Sequence, residues 1–156
     1  MKILTGLLLT LLAFTAAAES HLDVQTVVQK EEVFVNGKGD EDKRLVAADI
    51  VVPGETVFYT ITFRNVSDQS AENVVITNPI AADLVYVDRS GFGPGTDMQF
   101  SVDGGQTYGA KNELSVTEDG VKRAAEARDF THVRWVMRNE LLAGAQATAR
   151  FAAVLE

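Results

Sequence analysis

The sequence contains no cysteine among its 156 residues. A chain without thiols has no disulfide, no zinc–thiolate site and no cysteine nucleophile. Histidine is scarce as well, because His21 and His132 are the only two, whereas a zinc centre needs about three converging protein ligands. The composition therefore excludes thiol redox chemistry and leads us to expect no metal and no cofactor. The core must be held together by packing alone.

Basic side chains are outnumbered too. The chain has 14 Lys and Arg against 22 Asp and Glu, a net charge of −8. Residues 1–18 contain one of these charges, Lys2, so without them 13 basic side chains face 22 acidic ones and the net charge is −9. Such a surface repels nucleic acid and anionic lipid, and we expect neither as a partner.

The longest apolar run lies at the N-terminus. Lys2 precedes the mostly apolar residues Ile3 to Phe14, and small residues at Ala16 and Ala18 precede Glu19. A positive start, a short apolar stretch and an Ala-x-Ala site form a secretory signal peptide. The stretch is too short to anchor the chain across about 30 Å of hydrocarbon. We predict cleavage after Ala18, a periplasmic or secreted product and no membrane insertion after the signal is removed.

The mature chain has the pattern of short β-strands separated by turn residues. The clearest strand spans residues 55–65, where Val57 and Ile61 alternate with Thr60 and Thr62, while Phe58 breaks the alternation. The predicted strands are residues 22–28, 33–35, 47–52, 55–65, 73–77, 84–87, 98–102, 114–116, 132–138 and 145–155. This spacing predicts an all-β fold, an immunoglobulin-like antiparallel β-sandwich of about seven to nine strands.

Three further expectations concern particular residues. Trp135 lies on the same face of a predicted strand as Val133 and Met137, so we expect it in the core. Gly39 to Arg44 is rich in charge and predicts a solvated loop. Val121 to Arg128 is the only segment with helical composition, and we expect a helix of at most two turns there.

Several segments resemble the DUF11 conserved repeat domain family. The run from Val52 to Asn65 is similar to its opening Pro-Gly turn, its Tyr-Thr-Ile-Thr strand and its strand-ending Asn. Asn73 to Ile80 and Leu84 to Val87 resemble the next element, although Asn78 stands where the family usually has Asp. The resemblance covers about residues 45–156. It implies an immunoglobulin-like sandwich in an exported or cell-surface protein, and it implies no activity.

The resemblance also suggests a division of the chain. Residues 1–18 are the signal peptide, and residues 19–44 contribute N-terminal strands and a charged loop. Residues 45–156 form the DUF11-like sandwich. Family members often occur as tandem stalks, whereas this chain carries a single copy.

One motif has a known chemical association. Ser101, Asp103, Gly105 and Thr107, followed by Tyr108, match the Asp-box pattern S-x-D-x-G-x-T plus an aromatic. Asp boxes are frequent in sialidase-like propellers, but a single copy is better explained as a hairpin turn in which Asp103 accepts backbone hydrogen bonds. No serine, histidine or carboxylate lies in a catalytic motif. We therefore assign no catalytic, cofactor-binding or metal-binding residues.

These observations favour a non-catalytic, exported protein of the cell envelope. It would act as an interaction or structural module, with a protein partner bound by loops or by a sheet edge. The alternative is a small carbohydrate-binding domain or a hydrolase that uses the sandwich loops, and its support is the Asp box and the aromatic loops.

Overall fold

The computed structural model describes residues 21–156, so the predicted signal peptide and its cleavage site lie outside the described residues. Within this range, no helix has the length and apolar character needed to cross a membrane. Ten strands account for the regular structure: β1 Leu22–Val35, β2 Glu41–Ala47, β3 Thr56–Asn65, β4 Val75–Pro79, β5 Leu84–Tyr86, β6 Thr96–Ser101, β7 Ser115–Glu118, β8 Val121–Ala124, β9 His132–Met137 and β10 Gln146–Leu155. Single 3₁₀ turns span Lys111–Glu113 and Ala127–Asp129.

The strands form three antiparallel sheets. The largest has five strands in the order β2-β1-β3-β10-β5, the second has three in the order β4-β9-β6, and β7 pairs with β8 in a separate hairpin. The predicted all-β antiparallel fold is confirmed, with ten strands instead of seven to nine. Pro79 ends β4, which is an edge strand, where the missing N–H of proline costs no ladder bond.

The hydrophobic core contains residues from both the five-stranded and the three-stranded sheet. β3 and β10 supply the largest buried residues of the first sheet, and β9 supplies Val133 and Trp135 of the second, both with no exposed surface. The Trp135 and Phe151 rings are 6.1 Å apart. The core residues from these three strands are Val57, Ile61, Phe63, Val133, Trp135, Ala149, Phe151 and Ala153. The predicted burial of Trp135 is confirmed.

The N-terminal part of the prediction was wrong in three places. The expected loop at Gly39–Arg44 is mostly strand β2, and the expected strand at residues 47–52 lies almost wholly outside regular structure. The charges of β2 do not prevent pairing, because Arg44 lies opposite Glu32 and bonds to it across the hairpin at 2.5 Å. Opposite charges in facing positions stabilise a strand pair. β1 is also one continuous strand where two short ones were expected.

The predicted helix at Val121–Arg128 was also wrong. Asp119 and Gly120 have φ values of 52° and 79°, the left-handed conformation that a two-residue hairpin turn requires at both positions. The chain therefore folds back and β8 pairs with β7. Arg123 stabilises this extended form, since its guanidinium bonds both carboxylate oxygens of Asp129 at 2.6 and 2.9 Å. Residues 115 and 116 of the predicted strand 114–116 belong to β7 of this hairpin.

Asn65 joins two loops at the end of β3. Its side chain has no exposed surface, and its amide donates to the carbonyl oxygens of Gln69 at 2.7 Å and Leu141 at 2.9 Å. Its side-chain oxygen accepts from the backbone N–H and the hydroxyl of Ser67. A buried polar side chain with all its bonds made fixes the connection after the strand. The asparagine that ends the strand therefore has a structural function.

Candidate interaction surface

The two faces of the five-stranded sheet differ in what covers them. Residues that lie opposite each other in antiparallel strands project to the same face. Val28, Tyr59 and Phe151 form one such row, on the inner face towards the core. The outer face therefore carries the alternate rows, one with Val27, Thr60 and Arg150, and the next with Gln29, Phe58 and Ala152.

A groove of about 560 Å³ lies on this outer face. Its apolar lining includes Val27 and Leu45, which are 52 % and 50 % exposed, together with the partly buried Phe58. Gln29, Thr60, Ser90 and Arg150 contribute polar atoms. The outer face of an antiparallel sheet is usually polar when it faces water, so this apolar groove departs from the pattern that the same strands follow elsewhere.

The wall of the groove is formed by the loop after β5. Ser90 accepts a hydrogen bond from the Ala152 N–H at 2.9 Å, and Phe92 exchanges two backbone bonds of 2.8 Å with Arg150. This loop covers Ala152, which keeps only 4 % of its surface exposed although it lies on the outer face. The phenyl ring of Phe92 is itself half exposed. Ser90, at the start of the glycine-rich segment 90–95, thus borders the groove.

Arg150 is the one formal charge that lines the groove. Its side chain is exposed and makes no hydrogen bond or ion pair with any residue in the range 21–156. Arg64 lies on the same face but donates to the Gly144 carbonyl at 3.3 Å. The groove therefore combines apolar walls with a cation that is free to meet an anionic group.

A hairpin arm, defined as residues 31–45, extends from the groove. β1 pairs with β3 through Leu22–Lys30 and with β2 through Gln29–Val35. β3 pairs with β1 only as far as Lys30, so beyond that residue β1 and β2 form a two-stranded ribbon with no third strand beside it in residues 21–156. Nearly all of its residues are exposed, including Val33 at 56 % and Val35 at 68 %.

Both faces of the arm carry ion pairs. On the outer face, Lys43 contacts Glu31 at 2.8 Å, which raises the pKa of the lysine. On the inner face, Arg44 bonds Glu32 and lies 5.1 Å from the centre of the Phe34 ring. These contacts hold the two strands together in water, where an isolated hairpin is only marginally stable.

The Asp-box residues form the predicted hairpin turn. Asp103 accepts hydrogen bonds from the Gln106 and Thr107 N–H groups at 3.0 and 2.9 Å, and from the hydroxyls of Thr107 and Ser101. These donors stabilise the carboxylate and hold its pKa well below the usual range, the Thr107 hydroxyl most strongly. All polar contacts of Asp103 are thus made within its own turn.

Tyr108 packs beside that turn. The Arg134 guanidinium carbon lies 3.3 Å from the centre of the Tyr108 ring, and the His132 ring meets the same ring edge-on at 6.4 Å. His132 also contacts the Thr131 hydroxyl at 3.2 Å. Arg134 and His132, both in β9, thus cover one face of the Tyr108 ring and contact the ring edge-on, which leaves less of the ring to stack on a sugar.

The two histidines and the polar loop after β1 do not form a shared site. His21 lies before β1 beside Ser67–Ala71, whereas His132 lies in β9. In the loop after β1, the Asn36 side-chain oxygen accepts the N–H bonds of Lys38 and Asp40, which closes the turn. Across residues 21–156, no three His, Asp or Glu side chains are grouped so that they could hold a metal ion.

Sequence reasoning missed the groove and the arm. One signal pointed to the groove: Phe58 is an apolar residue among the polar positions of β3, so its ring must lie on the face opposite Val57 and Tyr59. A large aromatic residue on the expected polar face indicates that the face is covered or binds something. The arm had no such signal, because its strand β2 is dominated by charge.

No family model, no curated protein and no solved structure matches the chain. Membership of the DUF11 family is therefore unsupported, and what stands is an antiparallel all-β protein.

Proposed function

We propose that this protein is a non-catalytic, exported module of the cell envelope that binds a protein partner through the outer face of its five-stranded sheet. The observation that carries the proposal is the apolar groove that continues into the hairpin arm. Exposed apolar patches are costly for a free protein and mark interaction sites. The arm also adds exposed strand edges, which are common docking elements for extended segments.

The proposal includes the classification of the fold as an immunoglobulin-like sandwich. A five-stranded and a three-stranded antiparallel sheet share one core, as in that architecture. Sandwiches of this kind serve many binding functions without a catalytic site. The N-terminal Lys2, the apolar run and the Ala16-Ala17-Ala18 segment support export to the periplasm or beyond.

Charge favours a protein partner over nucleic acid or an anionic membrane. The chain carries a net charge of −8, and like charges repel such surfaces. The alternative of a carbohydrate-binding domain or hydrolase loses its main support, since the Asp103 carboxylate is used by its own turn and Tyr108 is covered by Arg134.

Site-specific photocrosslinking tests the proposal. A photoreactive residue at Leu45, on the outer face, is expected to give a defined adduct when the protein is expressed in its own envelope. Lys122, which is exposed on the β7–β8 hairpin, is the matched control position and should give none. Equal adducts at both positions, or none at Leu45, would contradict the assignment of this face. Mass spectrometry of the same sample tests export, because the proposed product begins at Glu19.

A further inference from the structure

We infer that the groove receives the hairpin arm of a second copy of this chain, so that two chains exchange arms reciprocally. The inference rests on the proposed function and names its partner. The first argument is apolar fit. Val33 and Val35 project from the same face of β1 as Val27, because the three positions differ by even numbers of residues, and all three are more than half exposed. The arm therefore presents branched apolar side chains of the size that the groove around Val27 and Phe58 accommodates.

The second argument is charge complementarity. Arg150 is the unpaired cation of the groove. On the arm, Glu41 lies opposite Val35 and therefore on the same outer face, and its carboxylate makes no ion pair within residues 21–156. The remaining outer-face charges of the arm, Lys43 and Glu31, already neutralise each other. The outer face of the paired arm strands thus brings one carboxylate without an ion pair, and the groove offers one guanidinium without one.

The third argument is symmetry. A two-fold contact requires one surface patch that is complementary to itself. Arm and groove lie on the same face of the same sheet, displaced along β1. A two-fold axis in the plane of contact, between the groove and the arm, places each arm over the groove of the other chain. Leu45, at the junction of the two, then lies near the axis.

The size of the contact predicts a weak dimer. A strand of five residues is about 17 Å long and a two-stranded ribbon is about 10 Å wide, so one face of the arm covers about 170 Å². Two reciprocal contacts, counted on both partners, bury about 700 Å², below the range of about 1,200–2,000 Å² that is typical of stable complexes. We therefore expect a dissociation constant in the micromolar range.

Sedimentation equilibrium of the mature chain tests the inference. The average mass should rise from one chain to two as the concentration increases from about 1 μM to about 500 μM, in the range where weak interfaces associate. Val35→Asp should abolish association over that range. Circular dichroism checks that each variant is folded, and all the substituted positions are exposed.

A charge exchange makes the test specific. Glu41→Arg and Arg150→Glu should each raise the dissociation constant about 5–10-fold, and the double variant should return it to within about threefold of the wild type. Glu140→Arg and Lys122→Glu are the matched controls, because both positions are exposed and belong to neither the arm nor the groove, and they should change the constant by less than about twofold.

The outcomes separate the two proposals. A chain that remains monomeric throughout, or a double variant no better than the single ones, overturns the arm exchange. A Leu45 adduct with a mass of two chains supports both proposals. A Leu45 adduct with a different envelope protein keeps the proposed function and overturns the inference.

Discussion

Strand β1 belongs both to the hairpin arm and to the rest of the described chain, which we call the body. It has different neighbours in the two regions. Along Leu22–Lys30 the strand pairs with β3, and alternate residues such as Val28 pack against the core. Along Glu31–Val35 it pairs only with β2, and both faces meet water. The strand therefore packs inner-face residues such as Val28 against the core in one half, and exposes Val33 and Val35 on its outer face in the other.

The contacts that stabilise the fold therefore lie in a different region from the exposed surface that is available for binding. In the body, apolar burial and the hydrogen bonds of buried polar side chains such as Asn65 provide stability. In the arm, exposed ion pairs such as Glu32–Arg44 hold the strands, and such pairs contribute little free energy. Substitutions in the body should therefore alter stability, whereas substitutions in the arm should alter association.

Truncation of Trp135 should have the largest effect. Its side chain has no exposed surface and packs on Phe151, so Trp135→Ala leaves a cavity and should lower the free energy of unfolding by about 3–5 kcal/mol. Chemical denaturation followed by circular dichroism measures it. Val121→Ala, at the exposed tip of the β7–β8 hairpin, is the control and should be near neutral. A loss below about 1 kcal/mol for Trp135→Ala would show that the two sheets do not share a tight core.

Replacement of Asn65 should be the next most damaging. Asn65→Ala removes the buried amide bonds to the Gln69 and Leu141 carbonyl oxygens and releases Ser67, although Leu141 keeps its bond from the Ala71 N–H, and the loss should cost about 2–3 kcal/mol. Asn139→Ala, in an exposed loop, provides the comparison by thermal and urea denaturation. Equal stability of the two variants would mean that the Asn65 bonds do not fix the loop after β3.

The Asp-box turn should show a smaller, pH-dependent effect. The pKa of Asp103 is lowered in the folded state, chiefly by the hydroxyl of Thr107, so the carboxylate stabilises the fold above the unfolded pKa of about 3.9 and this contribution is lost as pH falls towards the folded pKa. Asp103→Asn should lower the melting temperature at pH 7, and the difference from the wild type should shrink below about pH 4. A difference that stays constant down to pH 2 contradicts a charged hydrogen-bonded turn.

The arm itself should contribute least to stability. Arg44→Ala removes the pair with Glu32 and the contact with Phe34, and should change the free energy of unfolding by less than about 0.5 kcal/mol. Differential scanning calorimetry of this variant beside Trp135→Ala compares arm and body directly. A large loss of stability on Arg44→Ala would remove the distinction between the two regions.

The sequence was informative wherever one face of a strand is buried. β3, β9 and β10 were predicted to within about two residues, since their alternation reflects burial against the core. β2 and β8 were missed for a physical reason. Their residues pair in ribbons that bury little, so no apolar period marks them, and what decides their structure is the turn before each strand and the charges across it.

The candidate surface depended on information that the sequence carries only in part. Phe58 indicated an apolar side chain on the otherwise polar face of β3. The groove is also lined by Val27, Arg150 and the loop at Ser90. These come together through the pairing of β1, β3 and β10, which brings residues 27 and 150 into one row. Contacts between residues that far apart in the chain cannot be derived from local patterns.

Hydrogen–deuterium exchange at low and at high protein concentration tests the central claim most directly. At low concentration we predict slow exchange in β3, β9 and β10 and fast exchange throughout residues 31–45, because the arm lacks a neighbouring sheet. At high concentration, protection should rise in the arm and in the loop at Ser90–Phe92 and stay unchanged in the β7–β8 hairpin. Slow exchange in the arm at every concentration, or protection that rises equally in the arm and the β7–β8 hairpin, would contradict the account.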